Sequence, residues 1–354
     1  MKALIRNIGH LYKTRWSFKL AAVYLLLLLM LILALPVLPL PYLPNELDLQ
    51  HTFQKPFINS QHLLGTDQLG RDVLANLLHG ARNGLSVAIP VMLLSAFLGT
   101  TIGVVAGYYG NYKLRISYLK AFIVSCTIVS GLYYLGYVPV QASIQALPIH
   151  ITYTTIATGL GIWFALWLVL YPVLKRFLPS SYTIAIPVDS FMLRLTELLA
   201  SLPRMMLLIG IAAFASPSVL LLSVVFICTY WTGTARLARA EMLRIVQLPY
   251  IEAALSTGMR HRHVIIREAL PNMVTPVVVS FVFGVASLLA IESTLSFLGI
   301  GFPADFASWG RLIGSIRQNL SAWWLLAFPG AFLALTVLAL QTISYHLIRL
   351  YQAR

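Results

Sequence analysis

Apolar stretches approaching or exceeding 18 residues recur along the whole chain. That is the length a helix needs to cross the roughly 30 Å hydrocarbon core of a bilayer. Lipid offers no water to satisfy backbone N–H and C=O groups, so such runs close their hydrogen bonds internally and are helices. A β-barrel would show alternating segments of about ten residues instead. Eight runs stand out, at about 20–41, 84–109, 118–138, 152–174, 190–212, 217–237, 273–298 and 324–348. The fifth is the least clean, because Arg194, Glu197 and Arg204 fall inside it. The expected class is all-α, a polytopic membrane protein of about eight spans. Only 10% of the 354 residues are charged, against about 25% in a soluble domain.

The chain opens with a basic head, then an apolar run from Leu20 to Leu40. A cleaved signal peptide would have a core of roughly 7–15 residues, so this reads as an uncleaved first span. With the N-terminus in the cytoplasm, 20 of the 25 Lys and Arg residues fall inside. Lys55, Arg71, Arg82, Arg311 and Arg317 fall outside. Basic residues concentrate on the cytoplasmic side, so both termini are expected there. The net charge of +14 is then topological, and no soluble basic domain exists to bind nucleic acid. Cys126 and Cys228 lie inside apolar runs; they read as small apolar side chains and offer neither a disulfide framework nor a metal site.

In this orientation residues 238–272 form a cytoplasmic loop, the most charged stretch of the chain. Pro249 suits the first turn of a helix, and Glu252 near that N-terminus favours the helix dipole. Ala253 and Ala254 are helix formers without bulk, and Gly258 can adopt the left-handed conformation that ends a helix. A second helical stretch, His261 to Leu270, is expected to reach Pro271, where the next span begins. One reading is a solvated linker with its basic residues at the headgroups. The other is a docking element with a small contact surface and a charged anchor. His261 and His263 diverge on a helix and have no adjacent acidic or Cys partner, so no metal site is expected there.

The residues Glu252, Ala253, Ala254, Gly258, Leu270 and Pro271 stand at the spacing of a known signature. It resembles the cytoplasmic motif of the permease subunits of binding-protein-dependent ABC importers. Glu268 departs from the general pattern, which often has Ile. The resemblance implies a coupling helix that docks on an ATPase subunit. A second motif, Gly65-Thr66-Asp67 and Gly70-Arg71-Asp72, resembles that of the dipeptide, oligopeptide and nickel branch, in its "C-type" permease. "ESTLSFLGIGF", "SWGRLI" and "FPG" near the C-terminus are similar to the same branch. The resemblance covers about 45–110 and 189–348. It implies an importer for peptides or a related small solute. The implied partners are a homologous second permease, two ATPase subunits and an extracytoplasmic substrate-binding protein, within an inner membrane whose lipid surrounds the spans.

Asp67 and Arg71, four residues apart, have a spacing that allows an intrahelical pair. From Val73 on, Leu74, Leu77 and Leu78 form an apolar stripe suited to the membrane interface. The motif reads either as a structural cap on the pathway or as a contact for the binding protein or a gate. Gly99, Gly103 and Gly107 recur every four residues and allow close helix approach, within the subunit in preference to between subunits. Glu292 is the lone acid well inside a span, and a structural hydrogen bond is favoured over proton coupling.

The usual C-type subunit has six spans, and here residues 114–188 interrupt the resemblance with two further apolar runs. They read as an added peripheral hairpin that leaves the later topology unchanged. The expected organisation is therefore 1–44 with the first span, 45–110 with the motif and second span, 111–188 as inserted hairpin and 189–354 as permease core. No phosphate-binding Gly-rich loop is present, so neither ATP hydrolysis nor a cofactor is expected on this chain. A secondary transporter would need ionisable residues or broken helices in matching positions of a repeat. An intramembrane enzyme would need a catalytic constellation such as a paired Asp or His-Glu-x-x-His. The sequence shows neither.

Overall fold

The computed structural model describes residues 12, 14–145, 148–177, 183–214 and 216–352. Lys2, Arg6, Lys13 and Arg354 of the expected inside set lie outside the described residues. In chain order the elements begin with helix α1 (Trp16–Ala34), helix α2 (Val73–Tyr109) and strand β1 (Arg115–Ser117). Helices α3 (Tyr118–Ala142) and α4 (His150–Phe177) and strand β2 (Thr183–Ala185) follow. Then come α5 (Val188–Ser201), α6 (Arg204–Phe214), α7 (Val219–Val246), α8 (Pro249–Ser256) and α9 (His261–Phe297). The chain ends with α10 (Trp309–Ser315) and α11 (Trp324–Gln352). Two compact units separate, Met1–Tyr108 with Met192–Arg354, and Tyr109–Phe191.

Seven of these helices are long and apolar enough to cross a membrane, and the α5–α6 pair makes an eighth if counted as one broken span. Three expectations change. The fifth span is not straight: α5 and α6 meet at 72°. Pro203 stands at the break; it lacks an N–H and pushes Leu202 away from the helical conformation. Second, α2 starts at Val73 and is continuous through the expected interfacial stretch. Its stripe does not lie along a lipid interface, because Leu77 and Ala81 are buried against Leu28, Trp309 and Leu312. A protein partner for the apolar face removes the reason to lie flat. Third, the span expected to begin at Pro271 begins at His261. Leu270 and Pro271 sit within α9, just past a π-helical turn at Val264–Ala269. There the Leu270 N–H reaches the Ile265 carbonyl. This wider turn accommodates a proline that can neither donate nor tolerate a tight preceding turn.

The main core of the larger unit joins α2, α6, α7 and α9 through Val91, Met92, Leu208, Phe226 and Leu288. Gly99, Gly103 and Gly107 lie on α2 against α7. A Cβ on them would stand 2.5 Å from the Trp231 carbonyl oxygen, 2.3 Å from that of Ala235 and 2.8 Å from that of Arg239. The α2 backbone thus meets α7 carbonyls every four residues, with the Cβ atoms of Thr234, Ala238 and Met242 packed beside them. Outward, α1 exposes Leu20, Leu26, Leu27, Met30 and Leu33, as suits a hydrocarbon solvent.

The smaller unit holds α3 and α4. Trp163 Nε1 donates to the Thr127 carbonyl at 3.2 Å, and Trp167 Nε1 to Thr127 Oγ1 at 3.1 Å. Its two ends are zipped by the antiparallel β1–β2 ribbon, with Ser117 opposite Thr183.

Candidate functional site

The residues Gly65 to Asp72 form a tight turn rather than a helix. Thr66 and Asp72 bridge antiparallel. Asp67 does not pair with the Arg71 side chain along a helix, as its spacing allowed. Instead its Oδ1 accepts from the Leu69 amide at 2.8 Å and the Arg71 amide at 3.0 Å, because a carboxylate closes such a turn on backbone donors. The Arg71 guanidinium reaches Asn45 Oδ1 at 3.3 Å. Burial pushes the Asp67 carboxyl above its ordinary pKa, opposed by the two amides and the Arg71 charge. Gly70 has φ +71°, and a Cβ there would overlap the Asp48 carbonyl. Thr66 is fully buried: its hydroxyl donates to the His51 carbonyl and accepts from the Gln54 amide at 2.8 Å. Trp324 Nε1 donates to the Thr66 carbonyl at 3.0 Å. Asp72 Oδ2 accepts from the Ala75 amide at 2.7 Å, capping the first turn of α2.

Glu292 lies five residues before the end of α9 and is buried. Three hydroxyls donate to it: Ser296 and Ser308 each at 2.8 Å to Oε1, and Ser293 at 3.3 Å to Oε2. Ser308 also caps α10, and a Cβ on Gly310 would overlap the Ser293 carbonyl. The carboxylate and the glycine together hold α10 against the end of α9. Between α10 and the Gly65–Asp72 turn opens a pocket of about 550 Å³, whose wall includes Asp67, Arg71, Arg311 and Arg317.

The other polar segment lies at the far end of α2. That helix has 37 residues and so a length of about 55 Å. Asp72 caps its start, and Tyr108 near its end places its hydroxyl 2.6 Å from His261 Nδ1. The helix α8 has Pro249 in its first turn and Glu252 near its N-terminus. It ends in a Schellman arrangement: the Met259 amide bonds the Ala254 carbonyl at 3.2 Å and the Gly258 amide the Leu255 carbonyl at 3.0 Å. Gly258 has φ +79°, and nothing lies within 4 Å of where its Cβ would be. The backbone conformation, not crowding, requires glycine there. Ile251 anchors α8 in the core, while Glu252 and Ala253 are exposed and Ala254 is half-buried. Asn272 Nδ2 donates to the Tyr250 hydroxyl at 3.0 Å, joining α8 to α9.

The fold and its two polar ends define a class: a multi-pass α-helical membrane protein, with one long helix spanning the distance between the two polar segments. Residues 182–354 match the family described as "Binding-protein-dependent transport system inner membrane component". The chain is 27% identical to a protein of Brucella suis biovar 1 described as a peptide transport system permease, over 93% of this chain and 85% of that one. It is 25% identical to the dipeptide transport system permease protein DppC of Bacillus subtilis, over 81% and 67%. It is also 25% identical to the oligopeptide transport system permease protein OppC of Haemophilus influenzae, over 86% and 74%. The chain is similar to these inner-membrane transport components, and the family match together with the relatives supports a permease of the ABC importer type. The family is one of transport proteins, not of enzymes.

The Gly65–Asp72 motif is one local turn, whereas the Glu252–Pro271 motif runs from α8 through the Gly258 turn into α9; the two stand at opposite ends of α2. One group escaped sequence reasoning. Asp48, His51 and His62 come within 4.8 Å of one another through their ligand atoms. Their irregular spacing matches no metal motif, and the loop that gathers them has no periodicity to read.

Proposed function

We propose that this chain is the transmembrane subunit of an ATP-driven importer of peptides or a related small solute. Its partners are a homologous second permease, two ATPase subunits and an extracytoplasmic substrate-binding protein. Both termini face the cytoplasm. Residues 1–44, 45–110 and 189–354 make up the permease, and 111–188 is an added hairpin. The segment 249–271 couples to the ATPase, and the Gly65–Asp72 turn with the neighbouring pocket faces the binding protein. Glu292 has a structural role, tying α10 to α9.

The observation that carries the coupling role is α8. It is anchored on one side by Ile251 and displays Glu252 and Ala253 on the other. Its end is set by Gly258 in open space, where a partner surface can approach. A large side chain at Ala254 would hold that partner off. Overpacking costs about 1–3 kcal/mol in a close contact, enough to weaken docking by about tenfold or more. Gly258→Val would break the Schellman turn, since a β-branched residue avoids positive φ. Ala254→Trp and Gly258→Val should therefore lose ATP-driven uptake and copurification of the ATPase, with membrane insertion unchanged. Wild-type uptake and copurification in both would leave the segment a mere linker.

A further inference from the structure

We infer that Asp48, His51 and His62 form a binding site for one divalent transition-metal ion of the zinc class, with Asp72 positioning His62. The ligand atoms would be Asp48 Oδ2, His51 Nδ1 and His62 Nε2, all within 4.8 Å of one another. Zinc binds imidazole nitrogen and carboxylate oxygen at about 2.0–2.2 Å in a tetrahedron, which sets ligand atoms roughly 3.4 Å apart. His62 Nε2 and Asp48 Oδ2 are already 3.5 Å apart. His51 Nδ1 and Asp48 Oδ2 are in direct hydrogen bond at 2.8 Å, so an ion entering between them needs this pair to part by only about half an ångström. Two imidazoles with one carboxylate suit zinc and its transition-metal neighbours, not magnesium or calcium, which take oxygen ligands.

A second observation is independent of this spacing. His62 is fully buried, and its other ring nitrogen, Nδ1, lies 3.2 Å from Asp72 Oδ1. A carboxylate on the far side of a ligating imidazole is the usual device for fixing its tautomer and orientation. A neutral ring has one N–H. With that proton given to Asp72, the Nε2 lone pair faces the Asp48 carboxylate, and a cation between them satisfies both. On Asp48 the Gln50 amide occupies Oδ1 at 3.1 Å, while Oδ2, which also accepts a long bond from the Tyr42 hydroxyl at 3.4 Å, is the oxygen turned to the two imidazoles. The Tyr42 ring stacks on His62 at 4.3 Å and covers one side. The half-exposed His51 provides the entry path. Three protein ligands leave a fourth position for water.

The ion would join the Asp48–His51 loop to His62 and, through Asp72, to the first turn of α2. Gly70 packs on the Asp48 carbonyl, so the Gly65–Asp72 turn would be held by the same clamp. The inference stands apart from the transport reading.

The test uses the full chain in detergent, free of any histidine tag and stripped with EDTA, titrated with Zn²⁺ alone by calorimetry and with Co²⁺ by absorption. One ion per chain should bind, and the melting temperature should rise with added Zn²⁺. His51→Gln and His62→Gln should each weaken binding at least tenfold, and Asp72→Asn by about 10–100-fold. His150→Gln, at an exposed position in the smaller unit, should bind as wild type. His62 is buried and its replacement risks misfolding; His51 is half-exposed, so His51→Gln decides the matter alone. A wild-type chain without saturable Zn²⁺ binding, or His51→Gln binding as tightly as wild type, overturns the site.

Discussion

Replacing Gly103 by alanine adds one methyl group where two helix backbones touch. Its Cβ would stand 2.3 Å from the Ala235 carbonyl oxygen, 2.9 Å from the Ala238 Cβ and 3.0 Å from the Arg239 nitrogen. Ordinary contact begins at 3.4 Å, so the closest approach is short by about 1.1 Å. Two of the three atoms belong to helical backbone and cannot rotate aside, so α2 and α7 must separate locally. Overpacking of this kind costs about 1–3 kcal/mol, while the better helix propensity of alanine returns up to about 1 kcal/mol. The net expectation is a loss of about 1–2 kcal/mol, read as a fall of a few degrees in melting temperature. The assay is thermal denaturation in detergent, followed by the loss of monodisperse protein. Gly233→Ala on α7 is the control: nothing lies within 4 Å of its Cβ position, so its stability should hold or rise slightly. Equal stability of Gly103→Ala and wild type, or equal losses in both variants, would refute the backbone-contact argument.

Three further outcomes are expected. In a background with Cys126 and Cys228 replaced, a cysteine at Ser60 should react with an impermeant thiol reagent from outside intact cells and one at Thr257 should not; labelling at Thr257 reverses the proposed orientation. Removing residues 118–182 and closing the chain across the Ser117–Thr183 pair with a two-residue turn should leave a chain that still folds and assembles, because the ribbon brings the two ends together; recovery of the proposed partner permease with the full chain but not with the shortened one would show that the hairpin is part of the assembly. Glu292→Gln converts one of two acceptor oxygens into a donor facing serine hydroxyls, which costs about 1–3 kcal/mol for a buried unsatisfied group. Its melting temperature should fall at every pH tested, whereas an unchanged melting temperature with pH-shifted uptake would assign the carboxylate to proton movement instead.

Much of this architecture is legible in the residues alone because a bilayer leaves so few options. A run of about 20 apolar residues in lipid must be a helix, and α1, α7 and α11 follow directly from that rule. The end of α8 is equally local. Pro249 and Gly258 act through their own backbone preferences, and a Schellman turn needs no distant partner. Three things were decided only in the tertiary structure. The stripe at Leu77 could have faced lipid or protein, since both are apolar; Leu28, Trp309 and Leu312 settled it by supplying the partner. The contact surface of Gly99, Gly103 and Gly107 depended on which helix lay alongside, and that is α7. The cluster of Asp48, His51 and His62 arises because a loop without periodicity folds back on the Gly65–Asp72 turn. The Phe53 amide donates to the Asp67 carbonyl, and Thr66 donates to the Gln54 and His51 carbonyls and accepts from the Gln54 amide; no pattern of spacing announces contacts of that kind.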